Sequence, residues 1–551
     1  MMDTPGTLAV QRALLVAAVV FSIAVVLLLD RSTSRARSAL RERFLLGVPW
    51  GTVVSVLGVL AVYLFVQGGL GYWNRPVTLP FRAWSYFYPL GVLTAAFSHG
   101  GPGHLLGNLI GTVTFAPLAE YAWGHYARER GSTSFGSWRT NPYVRAFVVF
   151  PAVVFVVGIL TSAFALGPII GFSGVVFAFA GFALVNYPLA TVVALAAGRV
   201  VRVFYNAVQV PQLTASGHPA YVTPWWADIA IQGHALGLFL GVLLGLAVVR
   251  SRPRTARPSA ARLWAGTLLF GIQQSMWAVY WYRGGETYVL YRAVGVALVL
   301  ALATVVTFTV VASDRIIFAD LFDGAFSLRK WQAGAACLVL VAAAISGPAV
   351  PYNLYTADDG ELPGEEMTVR DYEVTYAENV SNGMTAVFDV EAFGESTAVT
   401  TSGVIVRSQE RGIWTTAVSK GRLAFDGQVP VLVGGPGWRE TVFAVRDGWV
   451  TTGGNTTYRV LLSHDERARV VYTAEPARAG PVVGGRNISI EAAPQGYYLH
   501  VARQNNSVSA RLPAENQTAT LDGLTFTRQK KKLFVEYGDT KLQIARRERY
   551  K

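Results

Sequence analysis

The sequence predicts an α-helical polytopic membrane protein that ends in an all-β extracytoplasmic domain. Apolar runs long enough to cross a bilayer recur through the first 350 residues. From residue 351 onward they give way to short alternating segments. Charge divides at the same point, since residues 1–350 carry 24 Lys and Arg against 10 Asp and Glu, whereas residues 351–551 carry 23 against 24. The basic excess therefore belongs to the apolar half alone.

Ten apolar runs are predicted to span the membrane, because a helix needs about 20 residues to cross the hydrocarbon core. They are residues 13–29, 47–70, 103–124, 144–166, 171–187, 188–205, 227–249, 263–282, 287–312 and 331–349. The first run is predicted to be an uncleaved span rather than a signal peptide, because Asp30 and Arg31 follow it without a small-residue cleavage site.

Positive charge predicts how these spans are oriented. Four clusters hold 17 of the 24 basic residues of this half: Arg31 to Arg43, Arg128 to Arg145, Arg250 to Arg262 and Arg315 to Lys330. All four face the cytoplasm if the N-terminus lies outside, which places the chain from residue 351 onward outside as well. Because the clusters alternate with apolar runs, they indicate loops at the inner leaflet of a cell membrane and argue against a nucleic-acid partner.

Two segments differ from ordinary spans. The aromatic stretch 84–97 is interrupted by Pro89 and Gly91, and we expect it to form an interfacial or re-entrant loop in the outer leaflet. The run 171–187 provides only about 25 Å of helix. We therefore expect it to end at the inner surface and to begin below the outer one, with Ser173 at its beginning.

Residues 351–551 are predicted to form strands and turns, with a sandwich as the expected arrangement. Segments such as TAVTTSGVIV from Thr397 and KLFVEY from Lys532 alternate in polarity, and Gly-Gly, Asn-Gly and Pro-Gly pairs separate such segments. Five glycosylation sequons start at Asn379, Asn455, Asn487, Asn505 and Asn516. The single cysteine, Cys337, excludes a disulfide within the chain and a cysteine-based metal site.

Polar side chains within spans are costly and are therefore candidates for function. His104 and Asn108 lie one turn apart at the start of the third run, and Ser173 lies at the start of the fifth. His234 lies about 10 Å into the seventh run if that helix begins near Ala227. The predicted orientation puts all of them near the outer ends of their helices, where they would meet at one depth.

Glycine spacing predicts close contact between these helices. Glycines recur every four residues on two runs, at Gly103, Gly107 and Gly111 and at Gly233, Gly237, Gly241 and Gly245. We therefore expect the helix with His234 to press against the helix with Ser173. A neutral histidine can then take the serine proton. The Asn108 amide, His104 and the Ser173 N–H can stabilise the resulting oxyanion.

Each feature also has a purely structural explanation. A serine that begins a helix is commonly a cap, an asparagine near a histidine can join two helices, and a buried histidine can pair with a carbonyl group. Glycine stripes serve packing whatever the function. Their joint occurrence at one predicted depth is what favours catalysis.

The motifs His104-x-x-x-Asn108, Gly171-Phe172-Ser173-Gly174 and Gly233-His234-x-x-Gly237, in this order, resemble the rhomboid family of intramembrane serine proteases. The resemblance implies a six-helix core at 47–249. Residues 1–46 would add an N-terminal span and basic loop, residues 250–350 a basic linker and three further spans, and residues 351–551 the β domain.

The resemblance also implies the chemistry. Ser173 and His234 would form a dyad without an aspartate, His104 and Asn108 would line the oxyanion pocket, and Gly171, Gly174, Gly233 and Gly237 would support the backbone. The substrates would be transmembrane proteins, cleaved in or near their spans, and neither a metal nor an organic cofactor is implied. Phe177 stands where many members have tyrosine, so it can stack on the imidazole but offers no hydroxyl. Arg82 and Trp84 lack a clear match to the Trp-Arg pair common in the family's first loop.

Other classes fit less well. The sequence contains no His-Glu-x-x-His motif for a zinc protease and no Gly-x-Gly-Asp motif for an aspartyl type. A transporter would call for ionisable residues near the middle of the membrane. The principal alternative is an inactive rhomboid-like protein that binds membrane clients or displays the β domain, although such relatives typically lack the serine or the histidine. The substrate, the ligand of the β domain and the oligomeric state stay open.

Overall fold

The computed structural model describes residues 5–29, 33–127, 130–213, 219–227, 229–252, 257–313, 316–317, 328–354, 362–383, 399–504 and 506–550. The chain divides into two compact units. Unit 1 comprises Met1–Gly217, Pro224–Trp281 and Val289–Leu354. Unit 2 comprises His218–Thr223, Tyr282–Tyr288 and Tyr355–Lys551. Two short segments from loops of the helical half thus group with the C-terminal region.

Helices build the first 354 residues. They are α1 (Pro5–Leu29), α2 (Thr33–Arg43), α3 (Trp50–Ala61), α4 (Pro89–Ala95), α5 (Pro102–Trp123), α6 (Pro142–Val144), α7 (Phe150–Ala163), α8 (Ser173–Asn186), α9 (Pro188–Gln209), α10 (Ile231–Ser251), α11 (Ala260–Gln273), α12 (Arg292–Val311), α13 (Lys330–Ser346) and α14 (Ala349–Asn353). A π-helical segment, Arg145–Val149, joins α6 to α7. Two small sheets interrupt the helices, β1 (Tyr280–Tyr282) with β2 (Tyr288–Leu290) and β3 (Ile316–Ile317) with β4 (Leu328–Arg329).

Several of these helices are suited to a membrane. Five among the described residues are long and apolar enough to cross one: Thr7–Leu29, Pro142–Ala163, Pro188–Gln209, Ile231–Ser251 and Arg292–Val311. Shorter apolar helices cover Trp50–Val66, Ser173–Asn186 and Lys330–Ser346. Every predicted span contains a helix, and the helical half is that of a multi-pass membrane protein.

Several predicted spans extend beyond the helices that they contain. The span 263–282 is helical only to Gln273, because Ser275 adopts a positive φ of 59° and the N–H of Met276 turns back to the carbonyl of Gly271. The span 227–249 becomes helical only at Ile231. Before that residue the chain forms turns, in which the N–H of Ala227 binds the carbonyl oxygen of Pro224.

Helix α8 lies at the centre of unit 1. Eleven of its 14 residues are buried, so protein rather than lipid surrounds it. It meets α10 backbone to backbone. A Cβ atom on Gly237 would lie 2.0 Å from the carbonyl oxygen of Gly174, and one on Gly241 would lie 2.0 Å from that of Ala178. Only glycine permits this approach, and the two helices are thereby held in fixed register.

The C-terminal region is β-rich, as predicted, and consists of antiparallel sheets. Its strands are β5 (Glu366–Val369), β6 (Tyr372–Ser381), β7 (Thr400–Ser408), β8 (Ile413–Ser419), β9 (Gln428–Gly435), β10 (Trp438–Thr451), β11 (Thr456–His464), β12 (Arg467–Thr473), β13 (Ala477–Arg478), β14 (Asn487–Ala493), β15 (Gly496–Arg503), β16 (Asn506–Arg511), β17 (Thr518–Leu521), β18 (Leu524–Gln529), β19 (Lys532–Tyr537) and β20 (Thr540–Arg547). One short helix, α15 (Lys420–Asp426), separates β8 from β9.

These strands form three sheets. Strands β5 to β8 and strands β13 to β16 each form a four-stranded sheet in chain order. The third sheet has the order β12-β11-β10-β20-β19-β18-β17, and β9 also pairs with β10. Trp449 and Phe526 of this sheet belong to one buried core with Leu499 of β15. Of the sequons, Asn379, Asn455 and Asn516 are exposed and Asn487 is half-buried, whereas Asn505 lies outside the described residues.

Candidate active site

Ser173 does not cap the helix that it begins. Phe172 occupies the N-cap position of α8 and makes no side-chain capping bond. The Oγ atom of Ser173 instead lies 2.9 Å from Nε2 of His234. A serine hydroxyl and an imidazole nitrogen, 61 residues apart in sequence, are therefore within hydrogen-bonding distance.

His234 lies in the first turn of α10, closer to the helix end than the expected 10 Å, because α10 begins at Ile231. The contact of Gly237 with the backbone of Gly174 positions that turn beside the start of α8. Gly174 in turn faces α7. A Cβ atom added at Gly174 would lie 2.9 Å from the Cβ atom of Thr161. A Cβ at Gly233 would meet no atom of the described chain within 4 Å, so the supporting role expected for this glycine stays a prediction. It lies one turn before Gly237, where α8 has not yet begun.

The imidazole of His234 is held by its neighbours in a way that suits a general base. Its ring stacks on that of Phe177, with centroids 4.2 Å apart and planes 12° from parallel. Its Nδ1 atom is buried and has no hydrogen-bond partner among the described residues. When Nδ1 carries the proton, Nε2 is free to accept one from Ser173. Among the described residues, Ser173 is thus the hydrogen-bonding partner of this imidazole.

His104 and Asn108 lie against the backbone just before Ser173. Gly171 has a φ of 129°, and a Cβ there would lie 2.5 Å from Cε1 of His104 and 3.4 Å from Nδ2 of Asn108. The N–H of Gly171 binds the carbonyl oxygen of Ala95, which holds this turn in place. The structure thus brings both predicted oxyanion residues to the turn that carries the serine, and only glycine leaves room for them.

Two residues that support this site were missed as functional candidates. Nε2 of His99 lies 3.0 Å from Nδ2 of Asn108 and orients the amide. Gln67 holds His99 in place, accepting a hydrogen bond from its N–H at 2.8 Å and donating one to its carbonyl oxygen at 2.9 Å. Both side chains are fully buried. The sequence signal that could have identified this pair is the polar side chain of Gln67 within the predicted span 47–70.

The first loop, residues 71–102, contacts the segment that leads to Ser173. The N–H of Ala83 binds the carbonyl oxygen of Ile169 at 3.2 Å, and the guanidinium of Arg82 binds that of Pro168 at 3.1 Å. Trp84 is buried, and its indole N–H binds the carbonyl oxygen of Leu79. Arg82 therefore supports the turn that precedes the serine.

Possible metal ligands were found in unit 2 rather than among these residues. Within the described part of the chain, ligand atoms of Glu440, His464 and Asp465 lie within 4.8 Å of one another. None of the three belongs to the Ser173–His234 arrangement.

A comparison with protein families assigns the same part of the chain. Residues 84–251 match the family model described as Rhomboid domain. The match begins in the first loop, ends with α10 and includes Ser173, His234, His104 and Asn108. Searches of curated proteins and of solved structures found no match.

Proposed function

Through residues 84–251 the chain belongs to the rhomboid family, and on that premise we propose that it is an intramembrane serine endopeptidase. The observation that carries the proposal is the 2.9 Å separation between Ser173 Oγ and His234 Nε2, in a domain with several candidate membrane spans. Inactive rhomboid-like proteins exist, but this chain retains both members of the dyad. Its core would consist of six spans formed by α3, α5, α6 with α7, α8, α9 and α10.

The reaction would proceed through an acyl-enzyme. Ser173 Oγ attacks the carbonyl carbon of the scissile bond while its proton passes to Nε2 of His234. His234 then gives that proton to the leaving amine, and water, deprotonated in the same way, releases the acyl group. The Asn108 amide, His104 and the backbone N–H of Ser173 stabilise the negative oxygen of each tetrahedral intermediate.

Transmembrane segments of other proteins would be the substrates. Their peptide carbonyls are shielded by helical hydrogen bonds, so a segment must unwind locally before a carbonyl reaches Ser173. The positive-inside pattern of the arginine clusters supports a site that opens on the extracytoplasmic side, together with the β domain.

The test combines labelling with cleavage. The full chain, reconstituted in liposomes, would be treated with a fluorophosphonate probe and assayed on a model transmembrane substrate. We expect Ser173→Ala to abolish labelling and both Ser173→Ala and His234→Ala to lower kcat by at least about 1,000-fold. Ser162→Ala is the matched control, because Ser162 Oγ is buried in the same unit and makes no hydrogen bond among the described residues. Undiminished cleavage by Ser173→Ala would exclude the mechanism. A folded wild type that neither labels nor cleaves would favour the inactive binder.

A further inference from the structure

An apolar groove lies in unit 1 between α5, α7, α8 and α10. Its volume is about 400 Å³, and Ser251 alone among its 15 lining residues is neither aliphatic nor aromatic. Val153 and Leu244, on its rim, are 42% and 39% exposed, so the groove is open to the outside of the helix bundle. Because unit 1 crosses a membrane, lipid tails are the apolar phase that surrounds this opening.

Three arginines surround one end of the groove, which Trp123 and Ser251 mark. Arg252 directly follows Ser251. The guanidinium carbon of Arg145 lies 3.9 Å from the centroid of the Trp123 indole. Arg43 approaches the same end of α5. A Cβ atom added at Gly124 would lie 3.6 Å from the Cδ atom of Arg43.

Part of this positive charge serves to terminate α5. Arg252 donates to the carbonyl oxygens of Ala122, at 2.7 Å, and Trp123. Arg145 donates to that of Gly124 at 3.0 Å. The C-terminus of a helix, however, carries only about half a negative charge. Three guanidinium groups therefore carry more positive charge than the end of α5 offsets.

Among the residues that the structure describes, no acidic side chain compensates them. Within the described residues, Arg43, Arg145 and Arg252 form no ion pair with a carboxylate. Glu120, the carboxylate of α5, is fully buried and binds Thr52 and His125 instead. The Nε atom of Arg145 is buried without a partner, so a hydrogen-bond donor also stays unused. The clustered positive charge and this unused donor favour an anionic ligand.

We propose that this site binds an anionic glycerophospholipid, with one acyl chain in the groove and the phosphate at Arg43, Arg145 and Arg252. Guanidinium groups bind phosphate oxygens through paired, charge-assisted hydrogen bonds. The groove supplies the apolar contact that a free phosphate would not need. Basic pockets of this kind between transmembrane helices suit the cytoplasmic leaflet, the side on which the positive-inside pattern places these arginines.

The first test compares two lipids that differ only in headgroup charge. The full chain, purified and delipidated in an uncharged detergent, would be titrated with phosphatidylglycerol and with phosphatidylcholine of identical acyl chains. Bound lipid is counted by native mass spectrometry, and the rise in Tm gives an independent readout. We expect phosphatidylglycerol to bind about tenfold more tightly or better. Equal affinity for the two lipids overturns the proposal.

Variants then separate the headgroup from the chain. We expect Arg145→Gln and Arg252→Gln each to weaken phosphatidylglycerol binding about five- to tenfold and to leave phosphatidylcholine unchanged. Arg139→Gln removes the same charge from an exposed arginine that lies over Trp138, and it should change neither affinity. If both of the first two variants keep the wild-type preference, the headgroup site is wrong.

A groove variant tests the acyl chain without touching any arginine. Ala247 lines the groove, and Ala247→Phe should weaken the binding of both lipids by filling it. Arg252→Gln could weaken lipid binding simply by destabilising the end of α5, which Arg252 terminates. Ala247→Phe leaves that end intact, so it tests the site independently. Glycerol phosphate, which lacks acyl chains, should not compete at lipid concentrations. If it competes as well as the whole lipid, or if Ala247→Phe binds both lipids normally, the acyl-chain site is overturned.

Discussion

The imidazole of His234 lies nearly parallel to the phenyl ring of Phe177, with the two centroids 4.2 Å apart. Phe177 follows Ser173 by one turn of α8 and is buried. Because Nδ1 of His234 has no hydrogen-bond partner among the described residues, no third polar group holds the ring. In the proposed mechanism, this stacking would orient the imidazole as an aspartate does in a catalytic triad.

This stack leads to a first prediction. Phe177→Leu should lower kcat on a transmembrane substrate about fivefold with little change in KM, because stacking of this kind contributes about 1 kcal/mol to holding the ring. Phe179→Leu is the control, since Phe179 is also buried in α8 but stacks on Phe150. Similar losses of kcat in the two variants would show that core packing, rather than imidazole orientation, is responsible.

The second prediction concerns two glycines of α10. Gly237→Ala should lower Tm and activity together, because the new Cβ would lie 2.0 Å from the carbonyl oxygen of Gly174 and must push α10 away from α8. Overpacking of this kind costs about 1–3 kcal/mol. Gly233→Ala, one turn earlier, meets no described atom within 4 Å and should leave both unchanged. Thermal unfolding and substrate cleavage measure the pair, and equal effects would contradict the helix contact.

The third prediction concerns the buried carboxylate of Glu120. It accepts hydrogen bonds from the N–H of Gly51 at 2.7 Å and from the N–H of Thr52 at 2.8 Å, so it caps α3, which Pro49 cannot do. His125 accepts from the N–H of Leu45 through Nδ1 and therefore donates to Glu120 through Nε2, at 2.5 Å.

Removal of that carboxylate leaves several buried donors without a partner. Glu120→Ala should therefore lower the free energy of unfolding by about 3–5 kcal/mol. Thr52→Val, which removes only the hydroxyl donor at 2.7 Å, should cost about 1 kcal/mol. Both are measured by unfolding in a denaturing detergent. A loss for Glu120→Ala no greater than that for Thr52→Val would disprove the capping role.

The fourth prediction concerns acid stability in unit 2. Burial by itself would raise the pKa of Asp371, but hydrogen bonds from Arg411 and Ser408 and the charge of Arg411 outweigh it and hold the pKa below its ordinary value of 3.8. Because the folded-state pKa is the lower one, the stabilisation is complete above pH 3.8 and is lost as the pH falls through the folded-state value. The Arg411 Nε–Asp371 Oδ2 distance is 2.6 Å.

Hydrogen exchange in β6 and β7 of the full chain measures this effect. At pH 6, Asp371→Asn should lower the free energy of opening that protects the amides from exchange by about 1–2 kcal/mol. This difference from wild type should shrink in acid. Glu365→Gln breaks an exposed pair with Arg469 and should have little effect at either pH. A constant difference between wild type and Asp371→Asn down to the lowest pH would contradict the role of this carboxylate.

Several features follow from the sequence because they depend on composition along the chain. Apolar runs of bilayer length locate the helices, and alternation from residue 400 onward locates strands such as β7 and β19. The order of the His104, Ser173 and His234 motifs indicates the rhomboid resemblance, which the family match at residues 84–251 confirms. These signals are local, and each can be recognised without knowing which other segment of the chain it packs against.

Tertiary structure alone decided which of those residues meet. A serine at a helix start is equally compatible with a cap, and only the contact of α8 with α10 aims Ser173 at His234. Gly233 and Gly237 look alike in sequence, but only Gly237 has a backbone opposite it. The roles of Gln67 and His99 depend on a pairing across 32 residues. The physical reason is that local sequence determines which face of an element is buried, whereas the crossing and register of packed helices determine which atoms meet.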